Sequence, residues 1–468
     1  MKAMFIQTVK GGALALALGF SAVQSQADTL ADALVGSYNH SGLLDQNRAL
    51  LRAADEGVAI AASALLPIIQ WSAGAQRDFG RQLGTTSSST VDVGTSNIAL
   101  TASLLLYDSG SSAATIESSK ETVLATRQTL VAIEQQVLLR AIEAFMGVRQ
   151  ASEFVALRQN NLRLLTQELR AANDRFEVGE VTRTDVALAQ ARLAQARSGL
   201  ADAQADLLRA RAEYTNVVGH KPGRLSSPPK VPNVETNVAS AQAQAVRRHP
   251  QMISVQHSVS AAELLILAAE ADMKPSITLS GRLRANNSTG ASNGVTNGFV
   301  AVEVGGPLYA GGSLSAAMRR AMASRDAERG NLHVVRHDTQ QNVASAIASL
   351  GAARARLQAS ERQIRAARVA FRGVREEATL GARTTLDVLD AEQELLDAEA
   401  ARISAEVDEY VAAYTVLSTM GLLTATSLRL NVQQYDPTAY YNLVKDAPAV
   451  RSKQGQKLDK VLRALQKD

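Results

Sequence analysis

Cysteine is absent from the chain, and aromatic residues are scarce. The 468 residues include no Cys, and Phe, Trp and Tyr together make up 4% of them. The lack of Cys excludes disulfides, thiolate metal sites and a lipid-modified cysteine behind an export signal. A low aromatic content is unusual for one large core. The many Ala, Leu, Gln, Glu and Arg residues are instead typical of long helices packed through small side chains.

Strong net charge and catalytic motifs are missing as well. The formal net charge is +4, and no basic stripe with interleaved aromatic residues is present, which argues against a nucleic-acid partner. No phosphate-binding loop occurs. His333 and His337 lie four residues apart but lack the Glu of a zinc-protease motif. The sequence therefore predicts no enzyme, no cofactor and no resident metal.

Apolar runs long enough to cross a membrane as a helix are also lacking. The N-terminus has Lys2 and Lys10 before a short apolar stretch at 11–20, and a small-x-small motif follows it. These features predict a signal peptide over 1–27 and a mature chain that begins at Asp28. No other segment is expected to reach the roughly 18–20 apolar residues that a membrane helix needs.

What the chain does contain is an internal duplication. Residues 178–193 and 380–395 align at an offset of 202, with six identities in sixteen positions. A repeat this long is not a short solenoid unit, so each half is expected to be a structural unit. The identical positions are Gly179/Gly381, Thr182/Thr384, Asp185/Asp387, Val186/Val388, Ala189/Ala391 and Leu193/Leu395.

Both halves carry the same order of predicted elements. These are a helix (30–64; 239–273), two strands separated by a polar loop (85–97; 285–298), a long helix (113–177; 315–378) and a returning helix (182–218; 384–420). The long helices contain no proline, and at 1.5 Å per residue each reaches about 100 Å, which favours coiled-coil packing. The predicted boundaries are a signal peptide (1–27), a first repeat (28–220, strand pair 65–107), a Pro-rich joint (221–238), a second repeat (239–427, strand pair 275–308) and a partly disordered tail (428–468).

The strand-like runs alternate apolar and polar residues, as the segment 277–284 illustrates. Four strands cannot close a barrel, and an open sheet edge is not tolerated in lipid. Because bacterial barrels begin at about eight strands, apolar strand faces in lipid require several copies of the chain. Three copies would give twelve strands around a polar lumen. The alternative is a soluble helical protein with two surface hairpins, which the signal peptide and the polar strand face disfavour.

The repeated element is predicted to be the tip at which each long helix turns back. Its residues suit a helix-turn-helix joint, because glycine can end a helix in the left-handed conformation and a Thr-x-x-Asp box can cap the next one. The glycine, threonine and aspartate are Gly179, Thr182 and Asp185 in the first half, and Gly381, Thr384 and Asp387 in the second.

The second tip has residues that the first lacks. Asp390 lies one turn beyond Asp387 on the same helix face, and Arg383 stands where the first half has Val181. In an assembly, Asp387 and Asp390 would form carboxylate rings, which select cations and are a place for divalent-cation block. Arg383 is expected to pair with Asp185 of a neighbouring helix. Exposed pairs contribute only about 0–1 kcal/mol, so such a lock can open.

These motifs together resemble the outer membrane efflux protein family, the TolC family, over nearly the whole mature chain. The resemblance rests on the duplication, the Pro67 and Pro275 junctions, the Leu-Tyr-x-x-Gly turns and the segment 381–390. It implies a mainly α chain with four β-strands, which forms a trimer with a twelve-stranded transmembrane β-barrel and an α-helical periplasmic tunnel. It also implies outer-membrane lipid around the barrel, a periplasmic adaptor and an inner-membrane ABC transporter or other pump as partners.

The resemblance also assigns roles to residues at the tips. The family's aspartate constriction falls on Asp387 and Asp390, and its tip lock on Arg383 with Thr184 and Asp185. The turn residues Gly179, Thr182, Gly381 and Thr384 are expected to dock the adaptor. Where well-known members have a tip tyrosine in this lock, the chain has Ala378, so fewer bonds are expected to hold the closed state.

Three functions stay open at the level of sequence. The segment 435–441 resembles members of the family that work in type I protein secretion, which makes this the preferred prediction. Export of drugs or other toxic compounds through the same polar tunnel is the first alternative. A trimeric coiled-coil surface protein is an alternative of another class, which strand pairs in the middle of both halves disfavour.

Overall fold

The computed structural model describes residues 28–83, 88–289 and 294–465. The predicted signal peptide lies outside these residues. Helices dominate the described chain, and its four strands form one sheet. The elements are α1 (Leu30–His40), α2 (Gly42–Ser63), β1 (Ile68–Leu83), β2 (Ser88–Tyr107), α3 (Ser111–Glu177), α4 (Arg183–Val218), α5 (Val238–Arg248), α6 (Pro250–Ala271), β3 (Ser276–Ser288), β4 (Val295–Gly305), α7 (Ser313–Thr379), α8 (Thr385–Thr419), α9 (Pro437–Val444) and α10 (Lys453–Leu465).

Two long helices set the length of the molecule. Helices α3 and α7 have 67 residues each, which corresponds to about 100 Å. Each packs against the returning helix that follows it, α4 or α8, and α3 also contacts α8. The largest buried cluster joins α1, α3, α4 and α8 around Phe145, Ile142 and Tyr214. The predicted long helices and their coiled-coil packing are therefore confirmed.

The helix predicted in front of each strand pair is broken in two. In the first half Ser41 separates α1 from α2, and its hydroxyl accepts a hydrogen bond from the backbone N–H of Leu44 at 3.3 Å. In the second half His249 has an extended backbone because Pro250 follows it and begins α6. The continuous helices predicted over 30–64 and 239–273 were wrong at these two positions.

The described residues include one helix that is long and apolar enough to cross a membrane, which the sequence reading missed. Over an 18-residue window α6 has a mean hydropathy of 1.4. In the structure α6 packs against α3 and α7, and Met252, Val255 and Ala262 are among its buried residues. A single helix of this kind is weak evidence for a membrane span.

The sheet has the order β1-β2-β3-β4, and all of its neighbouring strands are antiparallel. Strands β2 and β3 continue into the predicted polar loops 85–97 and 285–298. Polar residues continue a ladder where the strand meets water, and ion pairs across the strands stabilise it. Arg77 and Asp92 form such a pair with two 2.9 Å hydrogen bonds. The strands predicted in both halves are confirmed, but they are longer than predicted.

The register gives the sheet two chemically different faces. One face is apolar and exposed. On it Trp71 pairs with Leu100, which in turn pairs with Leu283 on β3. The Trp71 side chain is 77% exposed. The opposite face is largely polar. The apolar face carries Ile69, Trp71, Ile98, Leu100, Leu104, Leu279, Leu283, Val300, Val302 and Val304, and the polar face carries Gln70, Ser72, Thr101, Ser103, Thr278, Ser280, Arg282, Arg284, Asn297 and Glu303.

The C-terminal tail differs from the prediction of partial disorder. It contains α9 and α10, which pack on α2. Asp436 caps α9 by accepting a hydrogen bond from the backbone N–H of Thr438 at 2.8 Å. Tyr440 and Val444 are buried, and the Tyr440 hydroxyl donates to Glu56 at 2.6 Å. Burial of these side chains stabilises a segment whose composition alone does not indicate a helix.

Candidate functional site

The two helix-turn tips have nearly the same backbone. Helix α3 ends at Glu177 and α7 at Thr379, and a glycine with positive φ follows each of them two residues later. The φ angles are 80° at Gly179 and 75° at Gly381, in the left-handed region that a side chain disfavours. The sequence prediction that these glycines end the long helices is confirmed.

A capping box begins each returning helix, as predicted. At the second tip the Thr384 hydroxyl accepts from the Asp387 N–H at 3.2 Å, while the Thr384 N–H donates to the Asp387 carboxylate at 2.9 Å. Thr182 and Asp185 make the same pair of bonds at 3.3 Å and 2.9 Å. The hydrogen bonds from Thr384 lower the pKa of Asp387, and those from Thr182 lower the pKa of Asp185. Both aspartates are therefore ionised at neutral pH.

Arg383 is held within its own chain. Its Nε donates to the Glu377 carboxylate at 2.9 Å across the turn, and this bond raises the pKa of Arg383. Within the described chain no ion pair joins Arg383 to Asp185, which lies on the other tip. The sequence placed Arg383, Thr184 and Asp185 in a lock between neighbouring helices, and that lock stays a prediction. Glu377 is the partner that the sequence reading missed.

Asp390 lies one turn beyond Asp387 on α8, as predicted, and has a partner on α4. Its carboxylate accepts from Arg192 at 2.8 Å. The side chain of Asp390 remains 57% exposed, so the ion pair leaves one side of the carboxylate open to solvent. Asp387 is partly exposed. The two carboxylates thus present negative charge on the exposed part of α8 close to the tip.

Ala378 fills a tight position. It is 9% exposed and belongs to a small core with Phe371 and Val388, which joins α7 to α8 just before the turn. A tyrosine side chain at this position would require the two helices to separate or the ring to leave the core. The small side chain of Ala378 thus allows α7 to pack on α8 directly before the turn.

A buried carboxylate lies between the two coiled coils, five residues beyond Asp387. Glu392 on α8 is 4% exposed and accepts a 2.7 Å hydrogen bond from Asn161 on α3 through Oε1. Its Oε2 has no hydrogen-bond partner among the described residues. Burial raises the pKa of Glu392 to about 7; the charge of Glu168 adds to this effect, and Asn161 and Arg375 oppose it.

Sequence reasoning missed Glu392, although the pattern contained a signal. Leu389, Glu392 and Leu396 follow one another at helical spacing, and all three are buried. A charged residue inside an apolar stripe is rare unless it is paired, so its position marks a polar contact between helices. Asn161, its partner on α3, is also buried.

The sheet, with its exposed apolar face, lies at one end of two helical coiled coils, and acidic residues lie at the tips at the other end. These features define an export channel of the outer membrane. Comparison with known proteins gives the same class. The family model described as "Outer membrane efflux protein" matches residues 38–220 and 241–421, one match in each half. The chain belongs to this family. It is therefore an outer-membrane channel of a tripartite export system rather than an enzyme, with its helical part in the periplasm.

Individual relatives agree with this assignment. Over 422 residues the chain is 36% identical to the outer membrane efflux protein BepC of Brucella suis biovar 1 (strain 1330), covering 90% of this chain and 91% of BepC. Over 305 residues it is 24% identical to the alkaline protease secretion protein AprF of Pseudomonas aeruginosa, covering 63% of each. The crystal structure of the Campylobacter jejuni outer membrane channel CmeC superposes with a TM-score of 0.74 over 90% of each chain, at 16% identity.

Proposed function

We propose that three copies of the chain assemble into one channel that passes cargo from a periplasmic adaptor and an inner-membrane pump to the exterior. The four-stranded sheet carries this proposal. Among the described residues of one chain, its outer strands β1 and β4 each have an unpaired edge, while one face is apolar and exposed. In lipid those edges must pair. Joining β4 of one copy to β1 of the next closes twelve strands and turns the polar face toward the lumen.

The tips are the closed end of this channel. Three copies bring Asp387 and Asp390 into two carboxylate rings around the axis, and Arg383 reaches Thr184 and Asp185 of a neighbouring helix when it leaves Glu377. The exposed turn residues Gly179, Thr182, Gly381 and Thr384 dock the adaptor. The low pKa of Asp387 and the solvent-exposed side of Asp390 support a cation-binding constriction at this end.

The cargo that we propose is protein, exported by a type I secretion system with an ABC transporter. Support comes from AprF, whose name assigns it to secretion of alkaline protease. A second candidate is efflux of small toxic compounds, since BepC is named an efflux protein and shares more of its sequence with this chain. The tunnel wall is the same for both cargoes, so a cellular experiment has to distinguish them.

Deletion of the gene is expected to remove one or a few proteins from the culture supernatant and leave them inside the cell. Because the channel is the last step of export, the deletion should abolish secretion of its cargo. Quantitative proteomics of the supernatant is the measurement, and restoring the wild-type gene is the control. An unchanged supernatant together with greater sensitivity to toxic compounds would show that the cargo is small molecules.

A further inference from the structure

Two arginines lie on the polar face of the central strand β3. The register pairs Arg282 with Thr101 and Phe299, and pairs Arg284 with Ala99 and Asn297. Leu283, which lies between the arginines, belongs to the opposite apolar face with Leu100. Two residues along a strand correspond to about 7 Å, so the two side chains leave the same face close together.

Neither guanidinium group is neutralised in the described chain. Both side chains are exposed, and no ion pair joins Arg282 or Arg284 to any described carboxylate. The acidic residue nearest in register on this face is Glu303, which pairs with Thr278, four residues or about 13 Å along β3 from Arg282. Arginine stays charged at every physiological pH. Each copy therefore contributes two positive charges and one negative charge to this part of the face.

The polar face becomes the lumen only if the barrel closes, so this inference rests on the proposed function. The apolar face cannot be the lumen, because Val300 and Trp71 are at least three-quarters exposed and need lipid. The apolar residues of that face end before the ion pair of Arg77 with Asp92, which lies nearer to the loop that joins β1 to β2. Arg282 and Arg284 lie opposite the apolar residues, at the depth of the lipid.

We infer that Arg282 and Arg284 form a band in the barrel that attracts anionic groups of passing solutes. Three copies place six guanidinium groups and three Glu303 carboxylates around the lumen. Rings of Arg or Lys favour anions in pores, as rings of Asp or Glu favour cations. The ligand class is solutes or cargo segments that carry phosphate, sulfate or carboxylate groups. The channel would then have an acidic entrance at Asp387 and Asp390 and a basic exit.

Block of single-channel current by a multivalent anion tests this inference. Tripolyphosphate added to the chamber facing the strand end is expected to reduce the current through wild-type channels in a planar bilayer. The double variant Arg282→Gln with Arg284→Gln should weaken this block about tenfold or more. Raising the salt concentration should also weaken it, because charges in the open lumen are screened within about 10 Å at 0.1 M.

The single variant Arg282→Gln should also weaken the block, and Arg77→Gln is its matched control. It removes the same charge from the same sheet, but on the opposite face, so block should equal that of the wild type. Discrete current steps in every variant show that the channel is assembled. Steps with equal block in the wild type and the double variant would overturn the arginine band. The absence of any steps from the wild type would instead contradict the proposed channel.

Discussion

Replacing Asp387 and Asp390 by Asn is expected to weaken divalent-cation block of the channel at least about tenfold. A divalent ion about 4 Å from one carboxylate gains about 2 kcal/mol even in a water-like dielectric. This exceeds the 1.4 kcal/mol that corresponds to a factor of ten in affinity. The substitution at Asp390 also leaves Arg192 without its 2.8 Å partner, and its positive charge then repels the cation. Single-channel current under titration with Mg²⁺ in a planar bilayer is the measurement.

Asparagine is the right replacement because Asp387 also caps a helix. Its carboxylate accepts from the Thr384 N–H, and loss of a cap costs about 1 kcal/mol. An Asn side chain keeps an accepting oxygen and removes only the charge. The control is Asp202→Asn with Asp206→Asn, which removes two exposed carboxylates one turn apart on α4, roughly 28 Å beyond the tip. Equal Mg²⁺ block in the wild type and the tip variant would show that Asp387 and Asp390 do not form the constriction.

Glu392→Gln is expected to stabilise the protein at pH 8 and to have little effect at pH 5. The pKa of Glu392 rises from 4.5 to about 7 on folding, so the folded chain binds the proton more tightly than the unfolded one. Stability is therefore greatest below pH 4.5, falls as the pH rises from 4.5 to 7, and stays low above that. The ionised carboxylate then costs on the order of 3 kcal/mol. Gln is neutral throughout and can still accept from Asn161.

Thermal melts at both pH values, followed by circular dichroism, measure this effect. The variant should melt several degrees above the wild type at pH 8, and the difference should nearly vanish at pH 5. Glu394→Gln is the control, since Glu394 lies on the same helix but is exposed, and its melting curve should follow that of the wild type. A Glu392 variant that melts at or below the wild-type temperature at pH 8 would contradict the buried, unpaired carboxylate.

Local chemistry explains why the tips and strands could be predicted from the sequence. The glycine turns and capping boxes depend on residues within seven positions of one another, and each occurs twice, so the two copies support the same prediction. Gly381, Thr384 and Asp387 therefore fold as predicted. The two-residue alternation similarly gave both faces of the sheet, because side chains along a strand alternate by geometry.

Contacts between distant segments could not be predicted in this way. Asn161 and Glu392 are separated by 231 residues, and Arg192 and Asp390 by 198. Their pairing depends on the alignment of α3 and α4 with α8, which no local pattern specifies. The tail is a similar case, since Tyr440 becomes ordered by contact with Glu56 on α2. The break between α1 and α2 depends on one residue, Ser41, whose hydroxyl caps α2. The apolar pattern continues across this position, so it did not indicate a break.

Single-channel recording of the purified wild-type protein in a planar bilayer tests the central claim most directly. If three copies close one barrel on one helical tunnel, the current should rise in discrete steps of uniform size. Mg²⁺ should reduce those steps when added to the chamber that faces the helical tips, and should do so less from the opposite chamber. Protein that inserts without producing uniform steps would contradict the account of this chain as an outer-membrane channel.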